Sequence, residues 1–255
     1  MSGGAGEQSL IAHLLELRAR LLRGVLGVLV AALPLLYFSQ ELYSLAAAPL
    51  MQFMPAGSSM IATEVASPFF APVKLALVLA LVLAMPWVLY QVWAFVAPGL
   101  YHSEQRFVLP LLVSSTLLFY AGIAFAYFVV LPLIFEFLVA MAPEGVSIMT
   151  DISHYLSFVL GMFVVFGIAF ETPVAIVLLV KAGFVTPAQL GSIREYVVLG
   201  AVIAGAILTP PDVLSQVLLA TSLYALYEVG IVAARVLVPG SKQVEEQQKG
   251  ATPGS

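Results

Sequence analysis

The sequence predicts an all-α polytopic membrane protein of six transmembrane helices, a kinked bundle with a concave face and both termini in the cytoplasm. Three observations carry that prediction: a composition that cannot face water, a series of long apolar runs, and a one-sided distribution of Lys and Arg. Hydrophobic residues make up 62% of the 255 and charged residues 9%, with a mean hydropathy of +1.06. Soluble domains carry about 25% charged residues, so a chain this poor in charge takes the bilayer as its solvent. Cysteine is absent, which removes disulfides and thiolate metal or redox sites. A net charge of −4 with scattered basic residues offers no footprint for a nucleic acid.

The opening stretch MSGGAGEQSLIAHLLELRARLLRG lacks the order of a cleavable signal peptide, which needs a basic start, a short apolar core and a small-residue cleavage site. The first helix is therefore expected to stay on the chain. Apolar runs follow at 24–39, 75–97, 107–135, 155–180, 196–211 and 213–234. Crossing roughly 30 Å of hydrocarbon takes about 20 helical residues. The first run reaches that length by borrowing the Leu-rich turn before Arg23, and the next three are long enough. The last two have short uncharged stretches separated only by Pro210, Pro211 and Asp212. Two such helices should thin the bilayer locally or leave Asp212 below the headgroups.

Orientation follows from the basic residues. Arg18, Arg20 and Arg23 precede the first span, and Arg106 lies between the second and third. Lys181 and Arg194 lie between the fourth and fifth, and Arg235, Lys242 and Lys249 follow the sixth. Nine of the ten Lys and Arg thus share one side, with Lys74 alone at the other. The positive-inside rule puts that side, and both termini, in the cytoplasm. Pro34, Pro86, Pro110, Pro132 and Pro173 fall within spans. Each removes a backbone donor and bends its helix; Pro34 and Pro110 read as simple kinks. One membrane domain is expected through residue 235, with an amphipathic segment at 9–23 and a disordered polar tail at 236–255.

Polar residues in so apolar a chain need a reason. In SLIAHLLELRARLLRG, His13, Glu16, Arg20 and Arg23 recur at three and four residues, opposite Leu10, Leu14, Leu17 and Leu21. That is an amphipathic helix at the interface, with Ser9 placed to cap it. A plain interfacial anchor would look the same. The loop WAFVAPGLYHSEQRFVLP sets Phe95 among interfacial aromatics and Glu104 just beyond the Pro98-Gly99 turn. A carboxylate beside aromatic surface suits a guanidinium ligand, although a lone loop Glu is usually just solvated. Glu171 stands inside VVFGIAFETPVAIVLLV. A charge at a span's centre costs about 2.5–3.5 kcal/mol, so Glu171 is a functional candidate by default. Glu136 and Glu228 lie nearer span ends, where they can snorkel, and Asp212 is placed to cap the sixth helix. No phosphate loop, dinucleotide fingerprint or metal-ligand spacing of His13, His102 and His154 is present, so neither enzyme chemistry nor a cofactor is expected.

With these residues in view, the chain resembles the TatC family, core receptor subunits of the twin-arginine protein translocase. The signatures are HLLELRARLL, ASPFF, YQVWAFVAPGLY, FGIAFETPVAI and LTPPDVLSQ, in the family's order, between about Ser9 and Arg235. The resemblance implies a signal-peptide receptor in the bacterial inner membrane, exporting folded proteins with the proton-motive force. It implies twin-arginine signal peptides, TatA-like and TatB-like single-span proteins and further copies of itself as partners. Signal recognition would fall on Glu16, Arg18, Phe95 and Glu104. Glu171 would hold a polar residue of a partner helix, and the turn with Pro211 and Asp212 would serve partner placement on the trans side. Pro49 and Phe69 match the first periplasmic segment, with structural roles. Gln105 stands where the family often has a basic residue, leaving Glu104 less neutralised. Two other readings compete: a proton-coupled secondary transporter using Glu171 and Glu136 as relays, and a passive scaffold that touches no substrate.

Overall fold

The structure, a computed structural model, describes residues 3–53, 61–96, 108–141, 150–208 and 213–238. Among these, every named element is helical, and the β contact is a single parallel bridge between Ile61 and Asp151. Among the described residues, five stretches are long and apolar enough to cross a membrane: His13–Tyr37, Ser67–Phe95, Leu109–Phe137, Ile152–Lys181 and Ser215–Leu237. The chain divides into two compact units, Met1–Thr116 with Met149–Leu156, and Leu117–Ile148 with Ser157–Ser255.

In the first unit, helix α1 (Gly3–Tyr37) runs for 35 residues, about 52 Å at 1.5 Å per residue. The interfacial segment expected at 9–23 and the span expected at 24–39 are therefore one uninterrupted helix. Nothing between Arg23 and Gly24 caps or breaks the backbone, so the amphipathic turns continue into the apolar ones. Helix α2 (Ser39–Phe53) follows after a single-residue turn at Phe38. Hydropathy does not reveal α2, because it is short and only part of its surface is apolar. Helix α3 (Ser67–Val96) packs along α1. It buries Ala76, Ala80 and Ala84 in one stripe, the small-residue spacing that lets helix backbones approach in lipid. Trp87 Nε1 donates to the Arg23 carbonyl at 3.0 Å, tying the two helices together. Buried Trp93 donates to Ser115 Oγ at 3.1 Å, joining α3 to helix α4 (Val108–Phe125).

Pro110 lies in the first turn of α4, where backbone N–H groups have no intrahelical acceptor. It starts the helix rather than kinking it, which corrects the sequence expectation. The irregularity in this span comes further on, in the second unit: a π-helical turn at Ala126–Val130 leads into α5 (Leu131–Ala140). Leu131 N–H reaches back five residues to the Ala126 carbonyl, and this wider turn makes room for Pro132, which cannot donate.

Helices α6 (Ile152–Ala169) and α7 (Thr172–Lys181) make up the fourth apolar stretch, interrupted at Phe170 and Glu171. α7 ends in a left-handed Gly183, φ 75°, with Phe184 N–H bonded to the Leu179 carbonyl, a closure that glycine makes at no steric cost. A capping box of Thr186 and Gln189 starts α8 (Pro187–Ser192). Helix α9 (Arg194–Leu208) has 15 residues, about 22 Å, and so falls short of a bilayer; it covers most of the span expected at 196–211. Helix α10 (Val213–Leu237) has 25 residues. Ile176, Val180, Leu190, Tyr227, Ile231 and Ala234 pack α7, α8 and α10 into one core. Tyr227 donates its hydroxyl to the Leu190 carbonyl at 2.7 Å, and Gln216 Nε2 donates to the Val202 carbonyl at 3.3 Å. α10 runs past the expected boundary at residue 235, and residues 239–255 of the expected tail lie outside the described residues.

Candidate functional site

The first cluster of candidates lies where α1 meets the last turn of α3. Residues three and four apart on a helix share a face, so His13, Glu16 and Arg20 form one polar stripe. Arg20 donates through Nε and Nη2 to Glu16 Oε1 at 2.9 and 2.7 Å. Phe95, half-buried in the last turn of α3, stacks on His13 with ring centroids 4.4 Å apart and planes 25° apart. The fold thus sets Phe95 one helical turn from Glu16. Arg18 is exposed on another face of α1 and makes no ion pair among the described residues. Glu104 lies outside the described residues. His13 as the ring that receives Phe95 was not foreseen, since no local signal links residues 82 positions apart.

Glu171 sits in the break of the fourth apolar stretch. Its N–H bonds back three residues to the Ile168 carbonyl at 3.0 Å, and its own carbonyl accepts from Ala175 N–H at 2.9 Å. The ladder tightens there because Pro173, at the start of α7, has no N–H to give. Glu171 is the N-cap residue of α7 by position, but its side chain makes no capping bond. The carboxyl is half-buried, with Oε1 withdrawn from the surface. Neighbouring Phe170 lines an apolar cavity of about 490 Å³ with Phe125, Val129, Leu133 and residues of α10. Glu136, the second relay candidate, is exposed on α5.

At the start of α6, Asp151 holds a network that the sequence reading overlooked. Oδ1 accepts from the N–H groups of Ser153 and His154 at 2.9 and 3.0 Å, capping α6. Oδ2 accepts from the Thr63 hydroxyl and N–H at 2.6 and 2.9 Å. The Thr63 hydroxyl, then the N–H groups of Thr63 and His154, hold this carboxyl well below the usual carboxylate range. An Asp just before an apolar run is a helix-start signal that would have found the cap. Phe69 is exposed in the first turn of α3, edge-on to Phe70 at 5.2 Å. Pro49 falls within α2, and Pro211 and Asp212 lie outside the described residues.

The other polar closure joins α9 to α10. Arg194 Nε and Nη2 reach Glu228 Oε1 and Oε2 at 2.5 and 2.8 Å, a planar two-pronged pair. Glu228 therefore has a partner rather than simply snorkelling. Among the described residues, no three His, Asp or Glu come together as metal ligands. The arrangement suits recognition and packing rather than bond chemistry.

Comparison with known proteins agrees with this picture. The family model for TatC, the Sec-independent protein translocase protein, matches residues 12–221. The TatC proteins of Escherichia coli K12 and Haemophilus influenzae are 55% and 50% identical over 239 residues, each covering 94% of this chain and 93% of the relative. A crystal structure described as twin-arginine translocase receptor TatC superposes with a TM-score of 0.80 at 39% identity, covering 88% of this chain and 98% of that one. On this evidence the chain belongs to the TatC family and is a multi-pass, non-enzymatic component of the Sec-independent protein translocase of the bacterial inner membrane.

Proposed function

We propose that the chain is the signal-peptide receptor of its translocase and binds the paired arginines of an export signal at the α1–α3 junction. The observation that carries this is the stacking of His13 on Phe95. It brings an aromatic face to within one helical turn of the Glu16 carboxylate, beside the point where the chain leaves α3 towards Glu104. A guanidinium needs a carboxylate for its N–H fork and a flat ring for its stem and π-face. Glu16 and Glu104 supply the first and Phe95 the second, with Arg18 positioning them. The chain crosses the membrane six times, α9 being the short fifth span, and its Arg-rich ends face the cytoplasm.

Glu171 is proposed as the intramembrane post for a polar residue of a single-span partner resembling TatA or TatB. The Pro211–Asp212 turn places that partner, and Pro49 and Phe69 shape the trans-side segment. Export is driven by the proton-motive force, and copies of the chain associate in the working complex. The test is capture of a precursor by photo-crosslinkers at positions 95 and 104 in native membranes. Capture is expected, competed by the twin-arginine peptide and far less by a Lys-Lys version, because ammonium groups lack the planar fork. Binding that survives Glu104→Lys unchanged sinks the reading. Glu171→Gln keeps the hydrogen bond but carries no proton, so near-normal export is expected for a post and total loss for a relay.

A further inference from the structure

A groove between α1 and α3 shares only Phe95, at one end, with the residues of the signal-receptor reading. On α1 it is walled by Leu17, Leu21, Val25 and Leu29, all exposed along its edge, and on α3 by Leu81, Val88 and Val92, with a volume of about 330 Å³. From Leu17 to Leu29 it runs roughly 18 Å along the helix, close to half of the roughly 30 Å hydrocarbon thickness. Gly24 forms part of the floor, and a Cβ there would meet nothing within 4 Å. The groove is thus one leaflet deep.

Two polar features sit near the same end. Arg20 lines the groove, and the contacts of His13 with Phe95 and of Trp87 with Arg23 set an antiparallel register that brings Arg20 level with Gln91. Arg20 spends two N–H groups on Glu16 and keeps three of its five. Gln91, 5% exposed, lines the groove, and among the described residues its Oε1 has no hydrogen-bond partner. An unmatched buried amide is destabilising, and an occupant with polar groups at that depth would satisfy it. Gln91 lies five residues inside Val96, about 7 Å down the helix.

We infer that this groove is a binding site for one anionic diacyl phospholipid. An acyl chain lies along the apolar walls, the glycerol-ester region meets the Gln91 amide, and the phosphate sits at Arg20. The N–H groups that Arg20 keeps free of Glu16 suit a phosphate headgroup. With the orientation proposed above, the lipid comes from the cytoplasmic leaflet. Nothing else in the assignment rests on export.

The test uses the intact protein in nanodiscs of equimolar phosphatidylglycerol and phosphatidylcholine, with one or the other carrying brominated chains. Trp87, next in sequence to the groove-lining Val88, is 46% exposed and Trp93 only 9%, so bromine quenching reports Trp87. Each Arg near an anionic lipid surface is worth about 1 kcal/mol, or roughly fivefold. Brominated phosphatidylglycerol is therefore expected to quench severalfold more than brominated phosphatidylcholine. Gly24→Leu, which fills the floor, and Gln91→Leu, which removes the amide, should each reduce that preference. Equal quenching by the two lipids in the native protein overturns the assignment and needs no variant. Preference undiminished in Gly24→Leu also overturns it, since a general coat of anionic lipid ignores the groove. Neither measurement involves a signal peptide, so failure of the receptor reading would leave both outcomes intact.

Discussion

Helix α1 and the α6–α7 pair are written in the same apolar alphabet but live in different surroundings. Leu33 of α1 is 70% exposed, whereas Phe166 of α6 is fully buried. Both satisfy a bilayer, because lipid tails are as apolar as a leucine side chain and hydropathy does not distinguish them. The carboxylates differ in step. Glu16 on α1 is held by an arginine one turn away, while Glu171 sits where the α6–α7 backbone breaks. A lipid-facing helix keeps its charges exchangeable, and a packed one keeps them fixed by the fold.

The sharpest way to break that contrast is with glycine. At Gly122 of α4, an added Cβ would overlap the Phe166 backbone carbonyl of α6, and backbone cannot swing aside as a side chain can. Gly122→Ala should cost roughly 3 kcal/mol, the upper part of the range for overpacking, read as a lower unfolding midpoint in detergent. A midpoint within a degree of the parent would mean that the packed span is as forgiving as α1.

On the packed side, Glu228→Ala strips Arg194 of its two-pronged partner. Arg194 is 42% exposed and Glu228 28%, so water screens the loss and only a small fall in the unfolding midpoint is expected. A double-mutant cycle with Arg194→Ala should return a small coupling; additivity would show the pair to be ornamental.

Asp151 supplies the pH-dependent member of the comparison, because it anchors the start of α6. Its folded pKa is depressed by Thr63 and the α6 N–H groups, so its contribution is fully present above the unfolded value of about 3.9 and is lost as pH falls from there through the folded pKa. Thermal midpoints measured downward from neutrality should therefore fall below about pH 4. Asp151→Asn should flatten that acid limb, and an unchanged limb would mean other groups govern it.

What was legible in the sequence follows the same division. The second, third and fourth apolar stretches were visible because hydropathy is local, and the break near Glu171 was announced by Pro173. The fifth span stays an expectation, since α9 stops at Leu208 and the Pro211–Asp212 turn lies outside the described residues. Contacts between distant residues were invisible. Arg194 and Glu228 are 34 positions apart and Thr63 and Asp151 are 88, and no periodicity encodes such meetings. Pro110 misled because a proline in a first turn and one at mid-helix look identical until the helix start is known. Of the four signal-binding candidates, the fold places Glu16 and Phe95 near each other and sets Arg18 apart.

At Gly24 of α1 the glycine experiment should come out the other way. With open space around its Cβ, Gly24→Ala meets no clash and gains helix propensity, so a stabilisation of about 0.5–1 kcal/mol is expected. A loss there would show that α1 is packed more tightly than its exposed leucines indicate.

The smallest effect concerns function at the same helix. If Glu16 receives a guanidinium from the export signal, Arg20 is a rival already in place, bound through Nε and Nη2. A partly exposed i,i+4 pair of this kind is worth about 0.3–0.5 kcal/mol. Arg20→Gln should therefore leave stability almost untouched and tighten twin-arginine peptide binding by about twofold. The gain should shrink as salt rises, because exposed charges are screened over about 8 Å at physiological ionic strength. Titrating a labelled peptide at low and high salt separates this from a structural change, which salt would not erase. Binding that weakens at low salt would make Arg20 a positioner of Glu16 rather than its competitor, and would move the first guanidinium contact to another carboxylate.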